Sequence, residues 1–144
     1  MDFTIMMVAG TIAMHRAAAN ETSVITIPIM LPSNSVALKG AKLVSIEVDY
    51  EILTAEPTSI TWTLNKVTRG ADGAVAVVAA VTKTNTVADA DAKDVDQHKQ
   101  TVTLSTPAYI DNDEYYLLEC SIVAGAGGNV TEFLGAVANF TLRV

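Results

Sequence analysis

The stretch KLVSIEVDYEIL, Lys42 to Leu53, decides the fold. Val44, Ile46, Val48, Tyr50 and Ile52 alternate there with Ser45, Glu47, Asp49 and Glu51. Successive side chains of a strand point to opposite faces, so this order puts the apolar residues on one side and the acids on the other. A helix would scatter the same residues around its circumference. The segment reads as a half-buried strand, and its neighbours are read outward from it.

Downstream, SITWTLNKV (Ser59 to Val67) repeats the pattern with Ile60, Trp62 and Leu64 inward and Thr61, Thr63 and Asn65 outward. The intervening TAEPTS supplies Pro57 and small polar residues, the turn of an antiparallel hairpin. RGADGA, with Gly70, Asp72 and Gly73, suits a tight turn. AVAVVAAVTKT (Ala74 to Thr84) is either a strand or a short helix; its valines and the preceding turn favour a strand. NTVADADAKDVDQHKQ is polar and acidic and reads as a long loop. TVTLSTPAYI resumes the alternation until Pro107 interrupts it. EYYLLECSIV is a buried strand with Tyr116, Leu118, Cys120 and Ile122 on the core face. AGAGGNVTE reads as a glycine-rich hairpin connection, and FLGAVANFTLRV as a final strand. Upstream, ETSVITIPIMLP is a strand limited by Pro28 and Pro32, which suits a sheet edge. The sum is an all-β chain: an antiparallel β-sandwich, jelly-roll-like, with about eight or nine strands.

Composition narrows the function. At 144 residues and 15.2 kDa the chain is one ordinary domain. Half of it is apolar and 17% is charged, which argues against disorder. A net charge of −7 with nine scattered Lys and Arg argues against nucleic acid, whose phosphates such a surface repels. The amino-terminal MDFTIMMVAGTIAMHRAAAN lacks the positive start of a signal peptide and carries Asp2 instead. Its apolar run is too short to span a bilayer, so no membrane partner is expected. Residues 1–22 therefore form a strand pair or arm, and residues 23–144 the sandwich. The segment is either the first strand of the domain's own core or a contact with a neighbour; in the second case Phe3, Ile5, Met6, Met7, Ile12 and Met14 make it.

Five features could carry chemistry. The corner Asp111-Asn-Asp-Glu114 groups carboxylates that could hold a divalent cation, but Asp and Asn also cap turns by accepting from nearby backbone N–H groups. Asp89, Asp91, Asp94 and Asp96 alternate along one loop without the glycine and closing glutamate of an EF-hand. The single cysteine, Cys120, excludes an intrachain disulfide and falls on an inward position. His15 and His98 stand in no recognisable setting beside it, and neither CxxC nor HExxH occurs, so zinc is unsupported. Trp62 reads as core rather than as a sugar platform. Asn20, Asn129 and Asn139 each open an Asn-x-Thr sequon, which a threonine-rich chain acquires by chance. No catalytic, metal or cofactor-binding residue is assigned, and the chain is not expected to be an enzyme; weak calcium binding is the one cofactor worth a test.

In order, VITIPIMLP, LKGAKLVSIEVDYEI, SITWTLNKV, TLSTPAYIDNDEYYLLECSI and FLGAVANFTLRV form a pattern that resembles a recurrent module of phage virion proteins. The matching residues are Pro32, Gly40, Leu43, Val48 and Tyr50, then Leu64, Lys66 and Val67, then Pro107, Ile110, Asp111, Asn112, Tyr115, Tyr116 and Leu118. The resemblance covers Ser23 to Val144; the last strand departs from it in having Leu142 and Val144 where a terminal aromatic is common. It implies a jelly-roll-like sandwich, often trimeric, mounted on a virion as a capsid decoration (cement) protein, head fibre or tail-fibre domain. A short single-domain chain fits a decoration protein best: a homotrimer on the outer capsid surface, bound to the major capsid protein and stabilising the head. The alternative is a virion-surface domain that binds host carbohydrate.

Overall fold

The structure, a computed structural model, describes residues 4–8, 11–19, 21–32, 40–74, 76–88, 90–126 and 128–142. These hold strands β1 (Thr4–Val8), β2 (Thr11–Ala19), β3 (Thr22–Ile29), β4 (Ala41–Ile52), β5 (Ser59–Thr68), β6 (Val77–Ala80), β7 (Lys83–Asn85), β8 (Gln97–Leu104), β9 (Glu114–Val123) and β10 (Asn129–Leu142). Two single turns of 3-10 helix, Ala71–Gly73 and Asp91–Lys93, are the helical elements among the described residues. One sheet runs β1-β2-β10-β4-β8-β7 and the other β3-β9-β5-β6. Every described strand pair is antiparallel. The chain is an all-β antiparallel sandwich.

Alternation places the core between the sheets. From the larger sheet come Ile46, Val48, Tyr50 and Ile52 of β4, Val102 and Leu104 of β8, and Phe133 of β10. From the smaller come Ile25 and Ile29 of β3, Ile60, Trp62 and Leu64 of β5, and Tyr116, Leu118, Cys120 and Ile122 of β9. The rings of Tyr50, Trp62 and Phe133 meet at the centre, with centroids 5.6 to 6.3 Å apart and tilted or edge-on. Such tilted contacts set ring edges against ring faces, the arrangement that aromatic quadrupoles favour.

Three readings of the sequence need correction. Val44 is half-buried and Leu43 fully buried, so the inner face of β4 starts one residue earlier than strict alternation puts it. The cause is a register shift: Ser45 pairs with Asn139 but Leu43 with Phe140, which leaves Val44 as the extra residue of a bulge. Gly40, at φ 83°, lets the chain enter this strand through a conformation that a side chain disfavours. Second, β4 and β5 are not a hairpin. They lie in opposite sheets, and TAEPTS carries the chain across the sandwich. Third, AGAGGNVTE also crosses between sheets, from β9 to β10, and Asn129 onward is already strand. Gly125 is needed at that crossing, because a Cβ there would sit 2.6 Å from the Glu56 carbonyl oxygen. Ala74 to Thr84 resolves into the strands β6 and β7, again in opposite sheets. Pro28 lies on β3, an edge strand, as the edge reading requires.

Candidate functional site

The acidic corner is a turn with its carboxylate in use. The backbone N–H of Glu114 donates to the Asp111 carbonyl (3.1 Å), and the N–H of Asp111 donates to Glu114 Oε2 (3.0 Å). Glu114 Oε1 takes the Lys66 ammonium at 2.7 Å from the adjoining strand. Burial pushes the Glu114 carboxyl up, but Lys66 and the Asp111 N–H together outweigh it and hold the group below its ordinary range. The Lys66 ammonium is raised in turn, first by its hydrogen bond to Glu114. Asp111, Asn112 and Asp113 point to solvent, and the Asp113 carbonyl accepts from the Arg69 N–H (2.8 Å).

The acidic loop is tied down by uncharged groups. Tyr50 reaches out of the core and donates its hydroxyl to the Ala92 carbonyl at 2.6 Å, and Ala92 is fully buried. Gln100, also buried, acts as a substitute strand: its Oε1 accepts from the Val87 N–H and its Nε2 donates to the Val87 carbonyl. His98 stacks on Tyr50 at 4.9 Å and bonds the Asp94 carbonyl at 2.8 Å. The exposed Asp91 opens the 3-10 turn, and Asp96 accepts from the Gln97 N–H. Asp89 lies outside the described residues. Among the described residues, no group of three or more His, Cys, Asp and Glu is placed to hold a metal ion.

The outer face of the larger sheet carries a polar cluster that sequence reasoning did not single out. Glu47 accepts from Lys99 (2.8 Å) and Asn139 (3.0 Å), and Asn139 also bonds Ser45. Lys99 first, then Asn139, holds the Glu47 carboxyl below its ordinary value, and Glu47 raises Lys99. A cleft of about 380 Å³ beside them is lined by Asp49, Tyr50, Gln97, His98, Lys99 and Leu134. Cross-strand pairing of Asp49 with Lys99 and of Tyr50 with His98 brings these residues together. That register was not readable from the sequence, because β5, β6 and β7 intervene between β4 and β8 and the pairing is not local.

Other candidates resolve into structure. Cys120 is buried among apolar side chains, and that burial drives its thiol far above the usual range, so it is inert as a nucleophile. Trp62 is core. Asn129 is buried and bonds Thr131, and Asn139 is bonded across to β4, so neither sequon presents a free amide; Asn20 lies outside the described residues.

The amino-terminal segment forms the β1–β2 hairpin, with Ile5 opposite Met14 and Met7 opposite Ile12. Met6 stands opposite Ala13, and Phe3 lies outside the described residues. β2 pairs with β10 through Ala19, Arg16, His15 and Met14, and half-buried Met14 packs against the core. Among the described residues, that pairing reaches no further along β10 than Phe133. Beyond a second bulge at Leu134, β10 continues along β4 alone among the described residues. There it exposes Val137, Phe140 and Leu142, a surface that the sequence signals only by the lack of charge or proline in GAVANFTL.

No family model, curated protein or solved structure matches the chain.

Proposed function

We propose that the chain is a structural protein of a phage virion, a homotrimeric capsid decoration (cement) protein that binds the major capsid protein on the outer surface and stabilises the head. The observation that carries this reading is the strand order. With β1 and β7 set aside as additions, the sheets are β2-β10-β4-β8 and β3-β9-β5-β6. Consecutive strands cross from one sheet to the other at nearly every step. Eight strands in two four-stranded sheets so connected support a jelly roll, an architecture used in virion shells. The residue pattern from Ser23 onward supports the same class. Binding would be multivalent: three linked subunits around a local symmetry axis gain avidity that no single contact has. The test is co-sedimentation of the purified chain with purified phage capsids, with native mass measured before and after mixing. A trimer that pellets with capsids and raises their melting temperature is the expected result; a chain that stays in the supernatant overturns the reading.

The cleft beside Asp49, Gln97 and Lys99 favours a second reading, a virion-surface domain that binds host carbohydrate. Carboxylate, amide and ammonium groups offer the acceptors and donors that sugar hydroxyls need. A glycan array separates the two, since a decoration protein ignores sugars.

A further inference from the structure

Among the described residues, half of β10 is an unguarded sheet edge. From Gly135 to Leu142 its neighbour among the described residues is β4 on one side, and β2 has already left at Phe133. The exposed apolar side chains lie on both faces. Val137 (57% exposed) stands opposite Glu47, and Phe140 (42%) and Leu142 (49%) stand opposite the buried Leu43 and Ala41. Natural edges are blunted by charge, proline or short length. β3 carries Pro28, β7 begins with Lys83, and the apolar β6 spans only Val77–Ala80. The open half of β10 has none of these protections.

The chain also carries a segment suited to cover it. β1 is the other end of the same sheet, and among the described residues it pairs on one side only, with β2. No charged residue occurs from Phe3 to Met14 or from Gly135 to Leu142. Two copies of a chain with net charge −7 repel each other over most of their surfaces, and these two edges, uncharged as β3 and β6 also are, can meet without bringing like charges together. We infer that the β1 edge of one copy adds as a strand to Gly135–Leu142 of a second copy, and that this contact assembles the oligomer. Each copy gives one edge and receives one, so the contact is heterologous and closes into a ring when the rotation per subunit divides a full turn. The inference rests on the homotrimer in the reading above, but not on the capsid.

The experiment measures native mass and sedimentation of the full chain and of two double variants. Val137→Lys with Phe140→Lys changes exposed positions at the acceptor edge, and Val77→Lys with Val78→Lys does the same on β6. We expect the first to weaken self-association at least ~tenfold with an unchanged circular dichroism spectrum, and the second to leave it intact. A third variant, Met6→Cys with Val137→Cys, should form disulfides between copies on oxidation, because buried Cys120 does not compete. A monomeric wild type, an unaffected first variant, dissociation by the β6 variant instead, or a disulfide closed within one chain would each overturn the inference. An oligomer that assembles in this way but leaves capsids unbound sustains the inference and removes the virion reading.

Discussion

The two halves of β10 differ in hydropathy, and their fates run opposite to it. Asn129 to Phe133 runs between β2 and β4, and Thr131, Glu132 and Phe133 are all buried although two of them are polar. Gly135 to Leu142 is the more apolar half, yet among the described residues it runs along β4 alone and leaves Val137, Phe140 and Leu142 exposed. Burial on a strand follows from neighbours on both edges and both faces, and the residue's own hydropathy does not supply them. An apolar half left open is therefore informative where a single exposed leucine is not.

The largest effect should come from matched truncations on the two halves. Phe133→Ala removes a ring packed against Tyr50 and Trp62 and should cost about 3–5 kcal/mol in urea unfolding. Phe140→Ala should cost under ~1 kcal/mol at concentrations where the chain is monomeric, since its ring has little packing to lose. Equal costs would mean that the open half is covered within the monomer. Next in size is Tyr50→Phe, opposite Phe133 on β4. It keeps the ring stack but leaves the buried Ala92 carbonyl without its 2.6 Å donor, and should cost about 1–3 kcal/mol. Hydrogen exchange should quicken in Ala88 to Asp96 and stay unchanged in Gly135 to Leu142. Quickening in both would show that the two regions unfold together.

The strands were legible because their signal is local. Alternation in Lys42 to Leu53 and in Glu114 to Val123 needs no knowledge of partners, and the core positions Ile46, Val48, Tyr50, Ile52, Leu118, Cys120 and Ile122 follow from it. Pairing was not legible. TAEPTS has the composition of a hairpin turn and makes a crossing between sheets, because turn residues report chain reversal and not which sheet receives the next strand. Val44 was misplaced by a bulge that depends on Asn139 and Phe140, nearly a hundred residues away in sequence. The acidic corner could be read as a turn from Asp111 and Asn112, but its partner Lys66 could be found only from the β5–β9 register, which sets Lys66 beside Tyr116. The β10 edge was invisible for the same reason: openness belongs to the sheet and not to the residues.

The smallest effects concern charge, and they ask whether cover also decides what a carboxylate contributes. Glu114 and Glu47 are both held below their ordinary values by a lysine. A carboxyl with a lowered folded value contributes stability above its unfolded pKa, ~4.3, and that contribution is lost as pH falls through the folded value. The raised Lys66 behaves oppositely: its share is present below ~10.4 and is lost as pH rises through the folded value. The Glu114 side chain is only 11% exposed, so Glu114→Gln should remove about 1 kcal/mol at neutral pH and flatten the fall in stability on acidification below ~4.3. Glu47 faces solvent beside the open half, where water and salt screen its pairing with Lys99, so Glu47→Gln should leave the unfolding curve superimposable on the wild type. A Glu47 variant that flattened the acid limb as Glu114→Gln does would mean that this face is shielded, and the first place to look for the shield would be a second copy on the β10 edge.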